Sequence, residues 1–142
     1  MSQLLGKYEL LEPLGRGGFG TVYRARHLTL NVEHAVKLLH PALVSDPEFI
    51  ARFRQEAQIA ARLEHPYLVP VYDLGELDGR FFLAMRLIPG GSLKDRLAKE
   101  GRLPYAEALR SITQVAAALD FAYGSSEKLI HRDVKPGNIL LE

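Results

Sequence analysis

Strand-like and helix-like segments are segregated along this chain, and that segregation constrains its fold more than any single motif. Tyr8–Leu14, Thr21–Arg26, Glu33–Leu39, Leu68–Asp73 and Phe81–Leu87 are rich in β-formers or alternate apolar with polar residues. Asn31 and Asp78-Gly79 mark turns between them. One helix interrupts the strands. Asp46 is a good N-cap, Pro47 suits the first helical position, and the pattern runs to about Leu63 before Pro66 stops it. Pro89-Gly90-Gly91 then breaks the chain, and the rest reads as helical. Ser92 caps a short helix ending at Gly101. Pro104–Tyr123 forms a longer helix closed by Gly124, with Tyr105, Leu109, Ile112, Ala116, Leu119 and Tyr123 on one apolar stripe. Such segregation predicts an α+β fold rather than a βαβ parallel sheet. The break divides the chain into 1–88 and 89–142.

Composition narrows the function classes. Of 142 residues, 47% are hydrophobic and 25% charged, which places the chain among ordinary globular proteins. Eighteen basic against seventeen acidic residues leave a net charge of +1, so no charge excess points to nucleic acid or an anionic membrane. The absence of cysteine removes disulfides, thiol nucleophiles and Cys-ligated zinc, and fits a cytoplasmic protein. No apolar run approaches the ~20 residues needed to span a bilayer. His27, His34, His40 and His65 show no metal-ligand spacing and read as surface or packing residues.

Gly15-x-Gly17-x-x-Gly20 admits two readings by itself: a glycine-rich hairpin turn, or a phosphate-binding loop. The residues after Gly20 argue against a third reading, a redox dinucleotide fold. In that fold the third glycine opens a helix and an acid lies about 20 residues on. Here Thr21-Val22-Tyr23 are β-formers, and the charged residue near that offset is Lys37. A strand–glycine–strand flap can lay backbone N–H groups over phosphates, since glycine permits close approach. Phe19 at its tip suits a flap that closes on a ligand, or is an exposed apolar loop residue.

Lys37 shares a strand face with Ala35 and Leu39 and is flanked by Val36 and Leu38, so burial would demand an anion. On the helix, Phe49, Phe53, Ala60 and Leu63 lie within about 40° of one line, and Glu56 falls near its centre. Either that stripe is half-buried and Glu56 is wet, or Glu56 pairs with Lys37 when helix packs on sheet and the pair holds an ammonium toward a polyanion. A purely structural ion pair satisfies the same sequence.

Toward the C-terminus, His131-Arg132-Asp133-Val134-Lys135-Pro136-Gly137-Asn138 sets polar side chains between Leu129-Ile130 and Ile139-Leu140-Leu141. Pro136-Gly137 makes this a loop. It reads either as a solvated turn or as a catalytic segment. In the second reading Asp133 accepts a proton from a hydroxyl, Lys135 neutralises phosphoryl charge, and Asn138 offers Mg²⁺ an amide oxygen.

In this order, these residues resemble the eukaryotic-type protein kinase family. Gly15, Gly17, Gly20 and Val22 match its glycine-rich element, Ala35-Val36-Lys37 the end of its strand-lysine motif, Glu56 the glutamate of its αC helix, and residues 131–138 its catalytic loop. Lys135, two residues after Asp133, looks like the serine/threonine branch. Gly137 in place of the commoner Glu looks like bacterial members. The resemblance implies an antiparallel five-stranded sheet with the αC helix in an N-lobe, a hinge, and the first helices of a helical C-lobe. It implies ATP and Mg²⁺ as cofactors and a protein Ser/Thr hydroxyl as acceptor. Backbone N–H groups from Gly17 through Gly18 and Phe19 to Gly20 would cover the phosphates. Lys37, positioned by Glu56, would hold the α- and β-phosphates. Leu14, Val22, Ala35 and Leu140 would sandwich the adenine, with Met85 as gatekeeper and the Arg86 and Ile88 backbones at the adenine edge. Arg86 departs from the usual Glu, which matters little if only its carbonyl is used. Asp133 would be the catalytic base, with Lys135 near the γ-phosphate and Asn138 a Mg²⁺ ligand.

The sequence through Glu142 contains no Asp-Phe-Gly and no activation segment. The expectation is an incomplete kinase catalytic domain, inactive by itself. Its Tyr105–Tyr123 stripe would be uncovered and available for association. The alternative is a non-catalytic, pseudokinase-like nucleotide-binding or interaction module. The resemblance places the kinase domain in the cytoplasm. Many bacterial relatives continue into a membrane anchor and a sensor domain.

Overall fold

The structure, a computed structural model, describes residues 3–126 and 134–142. The chain forms two compact units, Met1–Arg62 with Pro70–Leu87, and Leu63–Val69 with Ile88–Glu142.

The first unit is a six-stranded antiparallel sheet: β1 (Gln3–Leu5), β2 (Tyr8–Gly17), β3 (Gly20–His27), β4 (Val32–Leu39), β5 (Val71–Leu77) and β6 (Arg80–Arg86), in the order β1-β2-β3-β4-β6-β5. The five expected strands are present, and short β1 extends the edge beside β2. Asp78 and Gly79 both take positive φ, 51° and 74°, so the β5–β6 hairpin closes with the primed twist that an Asp-Gly pair favours. Asn31, at φ 55°, turns β3 into β4. β5 starts at Val71 rather than Leu68, because Leu68 N–H instead closes a turn on the His65 carbonyl at 3.1 Å.

Period-two alternation separates the two faces of this sheet. Tyr8, Leu10, Ala25, Val36, Phe82 and Ala84 form the core together with Leu5. Val22 faces Lys37 across β3–β4, and Ala35 and Lys37 face Met85 and Leu83 across β4–β6. These five residues therefore share the opposite face.

Two helices belong to this unit. α1 (Pro41–Val44), not anticipated from the sequence, is a single turn capped by His40, whose Nδ1 accepts from Ala42 N–H at 3.1 Å. α2 (Pro47–Arg62) starts as expected, with Asp46 Oδ1 accepting from Glu48 N–H at 3.0 Å. It packs beside β5 and buries Ala57. Its Arg54 guanidinium stands 5.3 Å from the Phe81 ring centre and 3.4 Å from Glu76.

The second unit is helical. α3 (Leu93–Glu100) opens with a reciprocal capping box between Ser92 and Asp95, which hydrogen bonding holds below the usual carboxylate pKa. It closes on Gly101 at φ 81°. α4 (Tyr105–Gly124) includes Gly124 and ends at Ser125, whose hydroxyl caps the Ala122 carbonyl at 2.6 Å; the end lies one residue past the glycine expected to close it. Arg96 forks onto both carboxylate oxygens of Glu107 and ties α3 to α4. His65 and Phe121 rings, 5.0 Å apart, attach residues 63–69 to α4. No helix among the described residues is long and apolar enough to cross a membrane.

Candidate nucleotide site

The glycine loop is the hairpin between β2 and β3, with Gly17 opposite Gly20. Pro13 falls between two register shifts, as a residue without an N–H requires, and leaves Leu14 47% exposed ahead of the loop. The glycines are constrained differently. Gly20 has φ +141°, and a Cβ there would lie 2.0 Å from the Leu38 carbonyl oxygen, so the chain itself demands glycine. A Cβ at Gly15 or Gly18 would meet nothing within 4 Å. Those two leave space that a ligand could use. The loop tip is anchored by His40 N–H donating to the Phe19 carbonyl at 2.7 Å.

The sheet face below the loop carries half-buried Val22, buried Ala35 and half-buried Met85 around Lys37. Ala35 is the smallest of these side chains. Leu83, which the sequence reading did not single out, lies on the same face by its register with Lys37. Arg86 is exposed at the end of β6, and its N–H is already used by the Pro70 carbonyl at 3.0 Å. Only the Arg86 carbonyl therefore fits the edge role expected of it.

The Lys37–Glu56 pair is not formed. Glu56 is exposed and makes no ion pair with Lys37 among the described residues. The reason lies in the rotation of α2. Its buried contact is Ala57, about 100° round the helix from Glu56. Phe49 and Phe53 stack on each other at 6.3 Å and stay half-buried. The half-buried stripe with a wet glutamate is the arrangement found. The Lys37 ammonium lies 4.4 Å from the centre of the Phe19 ring.

In the helical unit, Lys135 is exposed and precedes a 3-10 turn, Pro136–Asn138, closed by Asn138 N–H to the Lys135 carbonyl at 2.9 Å. Residues 139–141 pair with the chain before α3. Leu93 N–H donates to Ile139 at 2.7 Å, Leu141 N–H to Gly91 at 2.9 Å, and Gly90 N–H to Leu141 at 2.7 Å. A Cβ on Gly90 would sit 2.1 Å from the Leu141 oxygen, which explains a glycine at the break. Asn138 and Leu140 are exposed, and Ile88 is half-buried. His131, Arg132 and Asp133 lie outside the described residues. Among the described residues no group of three His, Asp or Glu is placed to hold a metal. The Asn138 amide oxygen suits a hard cation such as Mg²⁺ and would need further ligands beside it.

Two constraints on the loop had no signal in the sequence. The His40 N–H that anchors Phe19 and the Leu38 carbonyl that crowds Gly20 are backbone groups, which side-chain patterns do not report.

A sheet bearing a central lysine beneath a glycine hairpin, joined in sequence to a small helical unit, defines a class. The Protein kinase domain family matches residues 8–142, and the chain belongs to that family. Over 141 residues it is 45% identical to the serine/threonine-protein kinase PknH of Mycobacterium bovis, an alignment covering 99% of this chain and 23% of that protein. It is 39% identical over 140 residues to the serine/threonine-protein kinase PrkC of Bacillus subtilis, covering 99% of this chain and 21% of that one. The crystal structure of the Mycobacterium tuberculosis PknI kinase domain superposes with a TM-score of 0.83 at 37% identity, over 97% of this chain and 56% of that one. The chain thus carries the N-terminal part of a bacterial eukaryotic-type kinase fold and spans about a fifth to a quarter of the curated relatives' length.

Proposed function

We propose that the chain is the nucleotide-binding part of a bacterial serine/threonine protein kinase, which transfers the γ-phosphoryl group of ATP to a protein Ser or Thr hydroxyl. The observation that carries this reading is the single sheet face that Val22, Ala35, Met85 and Lys37 share beneath a loop in which a Cβ at Gly15 or Gly18 would meet nothing within 4 Å. The apolar residues accept the base by burying its faces. Lys37 offers a cation to the α- and β-phosphates, and the N–H groups of residues 17–20 cover them. Glu56 is the carboxylate that would steady Lys37 once α2 turns by about one residue, 100°. Asp133 takes the hydroxyl proton, Lys135 offsets charge at the γ-phosphate, and Asn138 contributes an oxygen to Mg²⁺. Bound Mg²⁺ supplies neutralisation of phosphate charge. The family pattern also assigns Leu14, Leu140 and the backbones of Arg86 and Ile88 to the adenine.

Residues 1–142 contain no Asp-Phe-Gly, so taken alone they are expected to bind nucleotide without turnover. The second reading, a non-catalytic nucleotide-binding module, predicts the same for the whole protein. Thermal shift with ATP·Mg²⁺ tests the common ground. The wild-type chain should gain in melting temperature, and Lys37→Ala should lose most of that gain. A wild-type chain indifferent to ATP·Mg²⁺ would remove both readings. Phosphoryl transfer to a generic Ser/Thr substrate by the full-length protein separates kinase from module.

A further inference from the structure

We propose that Phe19 is an intramolecular stopper of the nucleotide site, its ring standing where phosphate must approach Lys37. The proposal rests on the reading of Lys37 as the phosphate-holding cation. With its centroid 4.4 Å from the ammonium, the ring lies well inside the ~6 Å range of cation–π attraction. At that separation its nearer carbons touch the ammonium and exclude a phosphate oxygen from that side.

The loop is built to permit this posture. A Cβ on Gly17 would be 2.9 Å from Phe19 Cε1, so the missing side chain at position 17 makes room for the folded-back ring. Gly15 and Gly18, by contrast, leave open space around themselves. The His40 N–H holds the Phe19 carbonyl, not its side chain. Rotation about the side-chain torsions can therefore withdraw the ring while the loop stays anchored. Nucleotide entry then exchanges a ring for phosphate oxygens at one ammonium, and the apparent affinity is reduced by the strength of the contact displaced. This role differs from that of a tip residue that only covers bound ligand. A cover strengthens binding, whereas a stopper weakens it.

The test uses Phe19→Ala, Phe19→Leu and Gly17→Ala in the 142-residue chain, with folding checked by circular dichroism. Without nucleotide, acylation of Lys37 by a small amine-directed reagent is followed by peptide mass spectrometry. Phe19→Ala should label about two- to fivefold faster than wild type, the range expected for loss of a partly exposed cation–π contact. Phe19→Leu should fall between them. Gly17→Ala should also label faster, because its Cβ dislodges the ring. Calorimetry with ATP·Mg²⁺ should show Phe19→Ala binding about two- to fivefold tighter. Unchanged Lys37 labelling, or weaker nucleotide binding by Phe19→Ala, would overturn the stopper while leaving the nucleotide site intact. Absence of ATP·Mg²⁺ binding by every form would overturn the nucleotide reading and the stopper with it.

Discussion

The two units of this chain solve the burial problem to different degrees. In the sheet unit Leu5, Tyr8 and Leu10 are 1% exposed and Val36 is fully buried, all in one cluster. In the helical unit the buried apolar residues among those described are Leu93, Ala118 and Ala122, while Tyr105, Ile112 and Tyr123 are 81%, 66% and 55% exposed. A pleated strand sends every second side chain to the same face, so five of the six strands fill one core from short segments. α4 instead buries small alanines fully and leaves Tyr105, Leu109, Ile112, Phe121 and Tyr123 exposed. The stability of the chain should therefore be concentrated behind β4, directly beneath the strand that carries Lys37.

The largest expected effect tests that asymmetry. Leu10→Ala should cost about 2–5 kcal/mol through lost burial and a residual cavity. Ile112→Ala should stay within about 0.5 kcal/mol, as exposed substitutions do. Urea midpoints of the two variants check this. Comparable losses would mean that the α4 face is covered in solution, and a midpoint rising with protein concentration would identify the cover as a second copy.

A smaller effect sharpens the comparison from the helical side. Ser92→Ala removes one half of the capping box and should cost about 1 kcal/mol. Because Ser92 also bridges Leu140, the loss should spread to the pairing of residues 90–93 with 139–141. Hydrogen exchange should quicken at Leu93 and Leu141 while β3 and β4 remain protected. Equal loss of protection in β4 would show that the units unfold together.

Legibility from the sequence divides along similar lines. Period-two alternation, the Asp78-Gly79 turn and the caps at Asp46, Ser92 and Gly101 are local, and they were legible because local chemistry decides them. The face shared by Val22, Ala35, Lys37 and Met85 was legible once strands were assigned, since register fixes it. β1 is only three residues long, and α1 has one turn, too little for a period to emerge. The rotation of α2 was the main failure. Glu56 sits at the centre of an apolar stripe, yet the residue that α2 buries is Ala57, which the helix's own periodicity does not single out. The Phe19–Lys37 contact was hidden for a similar reason, since it depends on the space left at Gly17 and on a backbone anchor at His40.

The smallest expected effect is a difference in pH response. On the core face behind β4, His34 is surrounded by Tyr8, His27, Tyr72, Asp73 and Lys7, with Arg86 its cross-strand neighbour. Its Nδ1 is buried without a hydrogen-bond partner. Burial, and then the nearby His27, push the His34 pKa below its ordinary 6.5. The unfolded chain thus takes up a proton more readily than the folded one. The stabilising contribution is present above pH 6.5 and is lost as pH falls from there toward the folded value. Tyr8, buried and donating to Asp73 at 3.3 Å, is pushed up from 10.0 to about 12. Its contribution is present below pH 10.0 and is lost as pH rises toward about 12. In the helical unit the lowered carboxylate is Asp95, whose contribution persists until pH falls through its ordinary 3.8 and below. Acidification from neutral pH should therefore loosen the sheet unit first, with exchange rising in β4 before α3. His34→Val should flatten that early response and leave the Asp95 response in place. If β4 and α3 lose protection at one common pH in wild type, or if His34→Val leaves the early response unchanged, His34 is not what sets the acid limit of the sheet unit.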